Sequence, residues 1–267
     1  MKLNNTRVII TGASGGIGRH IAVQLAKKGA HVALVGRRHD ALMAVHDEIK
    51  SVADVDVCVV PADLATSQGR QGMITHVRRS LGGIDILINN AGVVDFHDFS
   101  EQDPAMIERI YQTNLIAPVQ LAREVLPTML EQERGRIVNV GSTFGSIAFA
   151  YFAAYSSSKF ALRGFSEALR RELAGTGVGV TYAAPRAVRT AANSHAVFQM
   201  AEATGMHMDE PELVARFIVE ALIKDKKNAY YGWPEKFFVR VNSLFPGLVD
   251  AALRKQNRIM ARFAPKA

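Results

Sequence analysis

Short runs of Val and Ile alternate with amphipathic segments over the first 230 residues of the chain. The apolar runs predict buried strands, and the amphipathic segments predict helices between them. The predicted strands are Arg7–Ile10, His31–Val35, Val57–Val60, Ile84–Ile88, Arg136–Val140 and Val178–Ala183, followed by a last short strand at Asn228–Tyr231. The predicted helices are Ile17–Lys28, Asp40–Val52, Ser67–Leu81, Pro104–Met129, which Pro118 is expected to kink or divide, and Tyr155–Leu173. This alternation predicts an α/β fold with a doubly wound parallel sheet.

The chain has 267 residues and contains no internal repeat, linker or low-complexity stretch, so a single domain over 1–267 is the simplest organisation. Residues 193–208 fit the alternation less well, which suggests a mobile segment over the ligand site. Residues 235–267 combine apolar and basic side chains and predict a C-terminal helical extension, which Pro246 and Gly247 should divide into two helices.

Composition excludes several classes of function. Lys and Arg number 32 against 25 Asp and Glu, but the basic residues are dispersed, so nucleic acid is not an expected partner. The eight histidines show no metal-ligand spacing, and the single cysteine, Cys58, is expected to be a buried thiol. No apolar stretch approaches the ~20 residues that span a bilayer, and the N-terminus lacks the apolar core of a signal peptide. We therefore expect a cytoplasmic protein that binds no metal.

A glycine-rich turn directly follows the first predicted strand and opens the first predicted helix. Its sequence is TGASGGIG at residues 11–18, with the spacing G-x-x-x-G-x-G. Glycine allows a tight turn and a close approach of ligand to backbone, and the helix start offers free N–H groups to a pyrophosphate. The candidate dinucleotide contacts are Gly12, Ser14, Gly15, Gly16, Ile17 and Gly18.

The residues after the second and third strands bear on the choice of dinucleotide. An acidic residue after the second strand would bind a ribose 2′-hydroxyl group. Here Gly36 is followed by Arg37 and Arg38, whose guanidinium groups suit a 2′-phosphate and favour NADP(H). The alternative is that both arginines are solvated surface residues. Asp63 and Leu64 are placed to hold the adenine ring, or Asp63 only caps the following turn.

Four polar residues form a candidate catalytic set. Tyr155 and Lys159 share one face of a predicted helix, and a neighbouring cation should lower the pKa of the phenol so that it can exchange a proton with a carbonyl or alcohol oxygen. Ser142, at the end of the fifth strand, could hold the substrate oxygen, or it only satisfies local backbone groups. Asn114 could orient a water that relays protons to Lys159, or it caps or breaks a helix.

This ordered set resembles the short-chain dehydrogenase/reductase family in its compact single-domain form. The matching pieces span residues 11 to 190 and also include the NNAG motif at 89–92 and the segment from Pro185 to Thr190. The resemblance implies a Rossmann-type sheet of about seven strands, a nicotinamide cofactor, interconversion of a small carbonyl compound and an alcohol, and a homodimer or homotetramer. It further implies an Asn-Ser-Tyr-Lys tetrad and an NADP(H) preference at Arg37. The implied cofactor contacts are Asn90, Ala91, Gly92, Tyr155, Lys159, Pro185, Val188 and Thr190.

One position departs from the family pattern. Arg186 follows Pro185 where the family usually has glycine. Its guanidinium group is expected either to meet an anionic substrate or cofactor phosphate, or to point into solvent.

Two segments suggest the kind of substrate and location. The stretch FGSIAFAYF, residues 144–152, carries no charge and predicts an apolar or lipid-like ketone or alcohol, unless it packs on a partner subunit. The basic amphipathic residues 235–263 either pack on the protein or contact the inner face of a membrane peripherally. An alternative to an enzyme is a catalytically silent NADP(H) sensor or membrane-associated scaffold of the same fold.

Overall fold

The apolar runs form one seven-stranded sheet in which neighbouring strands are parallel. The structure is a computed structural model that describes residues 1–265, so residues 266 and 267 of the predicted extension lie outside it. The strands are β1 (Arg7–Thr11), β2 (His31–Gly36), β3 (Val57–Pro61), β4 (Ile86–Asn89), β5 (Gly135–Val140), β6 (Val178–Ala184) and β7 (Asn228–Tyr230). Their order is β3-β2-β1-β4-β5-β6-β7, so the winding direction reverses between β1 and β4. This confirms the doubly wound sheet and places a ligand crevice outside the carboxyl ends of β1 and β4.

Helices cover both faces of the sheet. They are α1 (Gly16–Ala26), α2 (His39–Val52), α3 (Ser67–Leu81), α4 (Pro104–Tyr111), α5 (Ala117–Glu131), α6 (Ala153–Glu172), α7 (His195–Thr204), α8 (Pro211–Ile223), α9 (Glu235–Leu244) and α10 (Pro246–Met260). Alternate strand residues point to opposite faces. Val8 and Ile10 therefore pack with Ile21 of α1 in one core, whereas Ile9 packs with Leu121 of α5 in the other.

The predicted helix Pro104–Met129 is divided by a π-helical turn at Gln112–Ile116. Pro118 has no N–H group to donate to the carbonyl group of Asn114, four residues earlier, which explains the irregular turn. The predicted division is confirmed, and it places Asn114 inside the π turn.

Helices α7 and α8 follow β6 and were not predicted. The segment 193–208 is largely helical, because α7 buries Val197, Met200 and Ala201. Helix α8 packs on α1 through Val214, which is completely buried. Both helices depend on contacts with distant parts of the chain, so their local sequence gives only a weak signal.

Helices α9 and α10, residues 235–260, form what we call the cap. They meet at Pro246, as predicted. Val239, Val249 and Met260 are buried, and the Asn242 side chain donates a hydrogen bond to the Ser146 carbonyl oxygen at 2.9 Å. One face of the cap therefore packs on the protein, while several large apolar side chains at or beside its other face stay exposed: Trp233, Phe237, Phe238, Leu244, Phe245 and Leu248. No helix within residues 1–265 is long and apolar enough to cross a membrane.

Candidate active site

The glycine turn joins β1 to α1 at the crevice. Gly12 has a φ of +67°, and a Cβ there would lie 2.9 Å from the Cα of Ala91. The hydroxyl oxygen of Thr11 accepts hydrogen bonds from the N–H groups of Asn90 and Ala91, both at 3.0 Å. The Asn90 side chain in turn donates to the Thr11 carbonyl oxygen at 3.0 Å. The turn and the loop after β4 thus hold each other so closely that residue 12 has no room for a side chain.

A hollow of about 380 Å³ opens at the N-terminus of α1, lined by Ser14, Gly15, Gly16 and Thr190 among others. The helix has no side-chain cap, and a Cβ on Gly15 would meet no atom within 4 Å. Free N–H groups, the positive end of a helix dipole and open space are what a pyrophosphate requires. The hollow therefore suits the pyrophosphate of the dinucleotide that the glycine turn predicts.

Arg37 and Arg38 are exposed directly after β2. A Cβ on Gly36 would lie 3.4 Å from the Ser14 hydroxyl oxygen, so residue 36 faces the glycine turn. With glycine at this position, the two guanidinium groups are the charged side chains that directly follow β2.

Asp63 and Leu64 follow β3. The Asp63 side chain accepts a hydrogen bond from the Ala65 N–H group at 3.0 Å, which confirms that it caps the local turn. Leu64 is buried in the core on the α3 and α5 side. Neither contact tests the predicted role at an adenine ring.

Lys159 is buried in α6, with a relative exposure of 4%. Its Nζ donates a hydrogen bond to the Val140 carbonyl oxygen at 3.0 Å and lies 5.8 Å from the centre of the Tyr155 ring. A Cβ on Gly92 would be 3.6 Å from this Nζ. Burial lowers the pKa of Lys159 to about 8, because an ammonium group loses its hydration there.

The Tyr155 phenol lies in the cleft with Ser142 and Lys159. The sequence predicts that Lys159 lowers the pKa of this phenol. In the structure this direction is wrong, because the pKa of Tyr155 is raised. Burial raises the pKa of Tyr155, and interaction with the Ser142 side chain opposes the rise without overcoming it. A phenol in this environment is protonated at neutral pH and can act as a proton donor.

Asn114 is completely buried in the π turn. Its side chain accepts a hydrogen bond from the Val93 N–H group and donates one to the Val93 carbonyl oxygen, both at 2.8 Å. It also donates to the Ser158 hydroxyl at 3.1 Å. Asn114 therefore lies at a helix irregularity and ties the loop after β4 to α6, while a water relay remains a prediction.

Sequence reasoning missed Tyr182, which supports the Ser142 loop from behind. Its hydroxyl donates to the Ser142 carbonyl oxygen at 3.1 Å and accepts from the Ser142 N–H group at 3.4 Å. The Ser142 hydroxyl also accepts a hydrogen bond from Phe144 N–H at 3.1 Å, so local backbone satisfaction is confirmed. A tyrosine in a buried strand was the available signal, because a buried hydroxyl needs a partner.

Arg186 follows neither sequence-based expectation. It forms paired hydrogen bonds to Asp209, at 2.6 and 2.9 Å, and reaches Glu235 of the cap at 3.2 Å. The Asp209 side chain is only 5% exposed. The Arg186 guanidinium group thus points neither into solvent nor toward an open anion site. It forms an ion-pair bridge between the segment after β6 and the cap.

The catalytic cleft has a volume of about 160 Å³. The predicted residues that line it are Ile17, Asn90, Gly92, Ser142, Tyr155, Lys159, Pro185, Val188 and Thr190. Its apolar lining includes Phe144, Phe152, Val197, Met200 and Met206, so the segment 144–152 borders the site as predicted. Arg37, Arg38, Asp63 and Leu64 do not line the cleft and lie after β2 and β3. Within residues 1–265 no cluster of three or more His, Cys, Asp or Glu residues could hold a metal ion.

The sheet order, the glycine turn and the Ser-Tyr-Lys cleft define a Rossmann-type nucleotide-binding oxidoreductase. The family model of the short chain dehydrogenases matches residues 6–201. The chain belongs to the short-chain dehydrogenase/reductase family.

Several curated relatives carry names that describe an activity, among them two reductases. Ketoacyl reductase HetN of Nostoc sp. is 36% identical over 183 residues, which are 68% of this chain and 63% of the relative. The 3-ketodihydrosphingosine reductase of Bos taurus is 36% identical over 189 residues, which are 69% of this chain and 57% of the relative. The matched region thus spans less than two thirds of either relative.

Solved structures share the fold. A short chain dehydrogenase/reductase from Burkholderia phymatum, in complex with NAD, superimposes with a TM-score of 0.84 at 23% identity, over 93% of this chain and 96% of that one.

Proposed function

We propose that this protein is an NADP(H)-dependent reductase of apolar or lipid-like ketones and aldehydes, with Tyr155 as the proton donor. The observation that carries the proposal is the cleft itself, in which Ser142, Tyr155 and Lys159 converge beside the glycine turn. The names of the two reductase relatives support the carbonyl chemistry. We place the protein in the cytoplasm as a homodimer or homotetramer.

The protein's own groups perform three tasks. The Ser142 hydroxyl hydrogen-bonds the substrate carbonyl oxygen and holds it beside Tyr155. Tyr155 donates its phenolic proton to that oxygen as negative charge develops there. The Lys159 ammonium group then stabilises the phenolate that remains. The nicotinamide cofactor, when bound, supplies a hydride to the carbonyl carbon.

The cofactor contacts follow from position around the crevice. The glycine turn and the start of α1, from Ser14 to Gly18, hold the pyrophosphate. Arg37 and Arg38 pair with the 2′-phosphate, because their exposed guanidinium groups replace an acidic side chain after β2. Further contacts are assigned to Asp63 and Leu64 for adenine, to Asn90, Ala91, Gly92, Tyr155 and Lys159 for the ribose side, and to Pro185, Val188 and Thr190 for the nicotinamide end.

The cap gives the protein a surface suited to a membrane. Exposed Phe237 and Leu244 lie on α9 together with Lys236 and Arg240, and exposed Phe245 joins α9 to α10. Apolar and basic side chains together favour an anionic lipid surface. We propose peripheral contact of this surface with the inner face of a membrane.

The test follows absorbance of NADPH and of NADH with a panel of ketones. We expect the protein to consume NADPH in preference to NADH. Tyr155→Phe keeps the ring but removes the proton donor, so turnover should fall by at least ~10²-fold while NADPH still binds. Full turnover by this variant would exclude the mechanism, and tight NADPH binding without turnover of any ketone would favour a silent sensor.

A further inference from the structure

A second cavity, of about 700 Å³, lies between the cap and the loop that follows β5. Six apolar residues from both sides form much of its wall: Ile147, Phe149, Phe238, Val241, Val249 and Leu253. Its volume is within the roughly 300–1,000 Å³ of small-molecule sites. The cavity is therefore large enough for a ligand rather than a packing defect.

This cavity adjoins the catalytic cleft. Phe144, Arg186, Ala187 and Met206 line both spaces. The Phe144 ring lies 4.5 Å from the Phe149 ring and 6.0 Å from the Tyr155 ring, measured between centres. The Phe144 ring thus lies between the Tyr155 ring and the Phe149 ring of the cavity, in a wall that the two spaces share.

The charges at the cavity are already paired. Arg186 binds Glu235 at 3.2 Å and Asp209 at 2.6 Å, and His207 lies 3.2 Å from the same Asp209 carboxylate. A ligand with a carboxylate or phosphate in the cavity would compete with these bridges. A neutral hydrocarbon chain would displace water from apolar walls at no such cost.

The cavity also reaches the outside of the cap. Its lining includes Phe238, Leu248 and Ala252, which are all exposed. A chain too long for the cavity could therefore extend past α10 to the exposed apolar surface.

From these contacts we propose that the cavity under the cap binds the uncharged alkyl chain of a carbonyl substrate whose reacting carbon lies at Tyr155. The proposal rests on the proposed reductase function, because it extends the same site. Each methylene buried in such a cavity strengthens binding by about fourfold.

The kinetic test uses straight-chain methyl ketones, from 2-hexanone to 2-dodecanone, with NADPH. We expect kcat/KM to rise by up to about fourfold per added methylene until the cavity is filled. Ala252→Phe puts a ring into the cavity and should reduce kcat/KM for 2-dodecanone at least tenfold while changing 2-hexanone little. Ala251→Phe is the matched control, because Ala251 is its exposed neighbour on α10 and does not line the cavity.

A binding test works without turnover. Trp233 is the single tryptophan of the chain and precedes Pro234, which lines the cavity. We expect 11-bromoundecanol to quench Trp233 fluorescence saturably in the wild-type protein and in Ala251→Phe, and several-fold more weakly in Ala252→Phe.

The two tests separate the inference from the proposed function. If no ketone is turned over but quenching is saturable and sensitive to Ala252→Phe, the reductase assignment fails and the alkyl-chain site stands. If short ketones are reduced but kcat/KM does not depend on chain length, or the two variants behave alike, the reductase assignment stands and the alkyl-chain site is wrong.

Discussion

The glycine turn and the cap both border the ligand-binding region, but different forces hold them. At the turn, Thr11 and Asn90 make hydrogen bonds between the end of β1 and the loop after β4, and glycine lets the backbones approach closely. At the cap, one buried apolar face, the Arg186 bridge and a single hydrogen bond from Asn242 hold two helices whose other face is exposed.

This difference suggests that the turn suits recognition of the cofactor and that the cap suits recognition of the substrate. The close approach of Gly12 to Ala91 and the hydrogen bonds of Thr11 and Asn90 leave the turn little freedom, which suits recognition of one constant cofactor. The cap depends on side chains and can change with sequence while the sheet stays the same, which suits the recognition of different substrates.

The largest effect on turnover is expected at Lys159, which is buried in α6 and lines the cleft. Lys159→Met should lower kcat by about 10²–10⁴-fold, since the phenolate of Tyr155 loses its cation. The same change should stabilise the protein near pH 7 by up to roughly 3 kcal/mol, because the ammonium is buried and its pKa is lowered from 10.5 to about 8.

The pH dependence of stability tests whether the buried charge of Lys159 causes this difference. Between about pH 8 and 10.5 the unfolded chain retains the Lys159 proton that the folded protein has lost, so this residue makes wild-type stability rise with pH. Below pH 8 both states are charged and the destabilisation is at its full value. Urea unfolding at pH 7 and 9.5 should show a smaller difference between wild type and variant at the higher pH. An equal difference at both values would contradict the burial argument.

An intermediate effect is expected at Arg186. Arg186→Met leaves the buried Asp209 carboxylate without its main partner and should reduce the free energy of unfolding by roughly 2–3 kcal/mol. Arg189→Met is the control, because Arg189 and Glu210 are 3.7 Å apart and both more than half exposed. That variant should lose less than about 1 kcal/mol. Thermal unfolding measures both, and equal losses would show that the bridge does not secure the cap.

The smallest effect is expected at the exposed face of the cap. The double change Leu244→Ser and Phe245→Ser removes apolar side chains that are 72% and 59% exposed, so stability should change little. Sedimentation with phosphatidylglycerol vesicles should fall several-fold, whereas Leu213→Ser on α8 should leave it unchanged. No sedimentation of the wild-type protein would exclude the membrane contact.

Several features of the site could be predicted from local sequence. The strands were placed to within two residues at either end, because most of them are Val- and Ile-rich runs with largely buried side chains. Ser142 was placed at the crevice because it follows a parallel strand, and Tyr155 and Lys159 were placed beside it by the resemblance to the family.

Other features depended on partners far along the chain. The direction of the Tyr155 pKa shift was predicted wrongly, since burial by surrounding aromatic side chains cannot be read from the i, i+4 spacing to Lys159. Arg186 was expected near an anion or in solvent, but its carboxylate partners lie 23 and 49 residues away. Helices α7 and α8 were missed for the same reason.

The sequence by itself determined the parallel sheet, the glycine turn and the placement of Tyr155 and Lys159 on one helix face, because these follow from the period of apolar residues and from short motifs. Only the tertiary structure decided which charges are paired, how deeply Lys159 is buried and that an apolar cavity lies beneath the cap. Periodicity and motifs are properties of neighbouring residues, whereas burial and ion pairing are set by side chains that the fold brings together from distant segments.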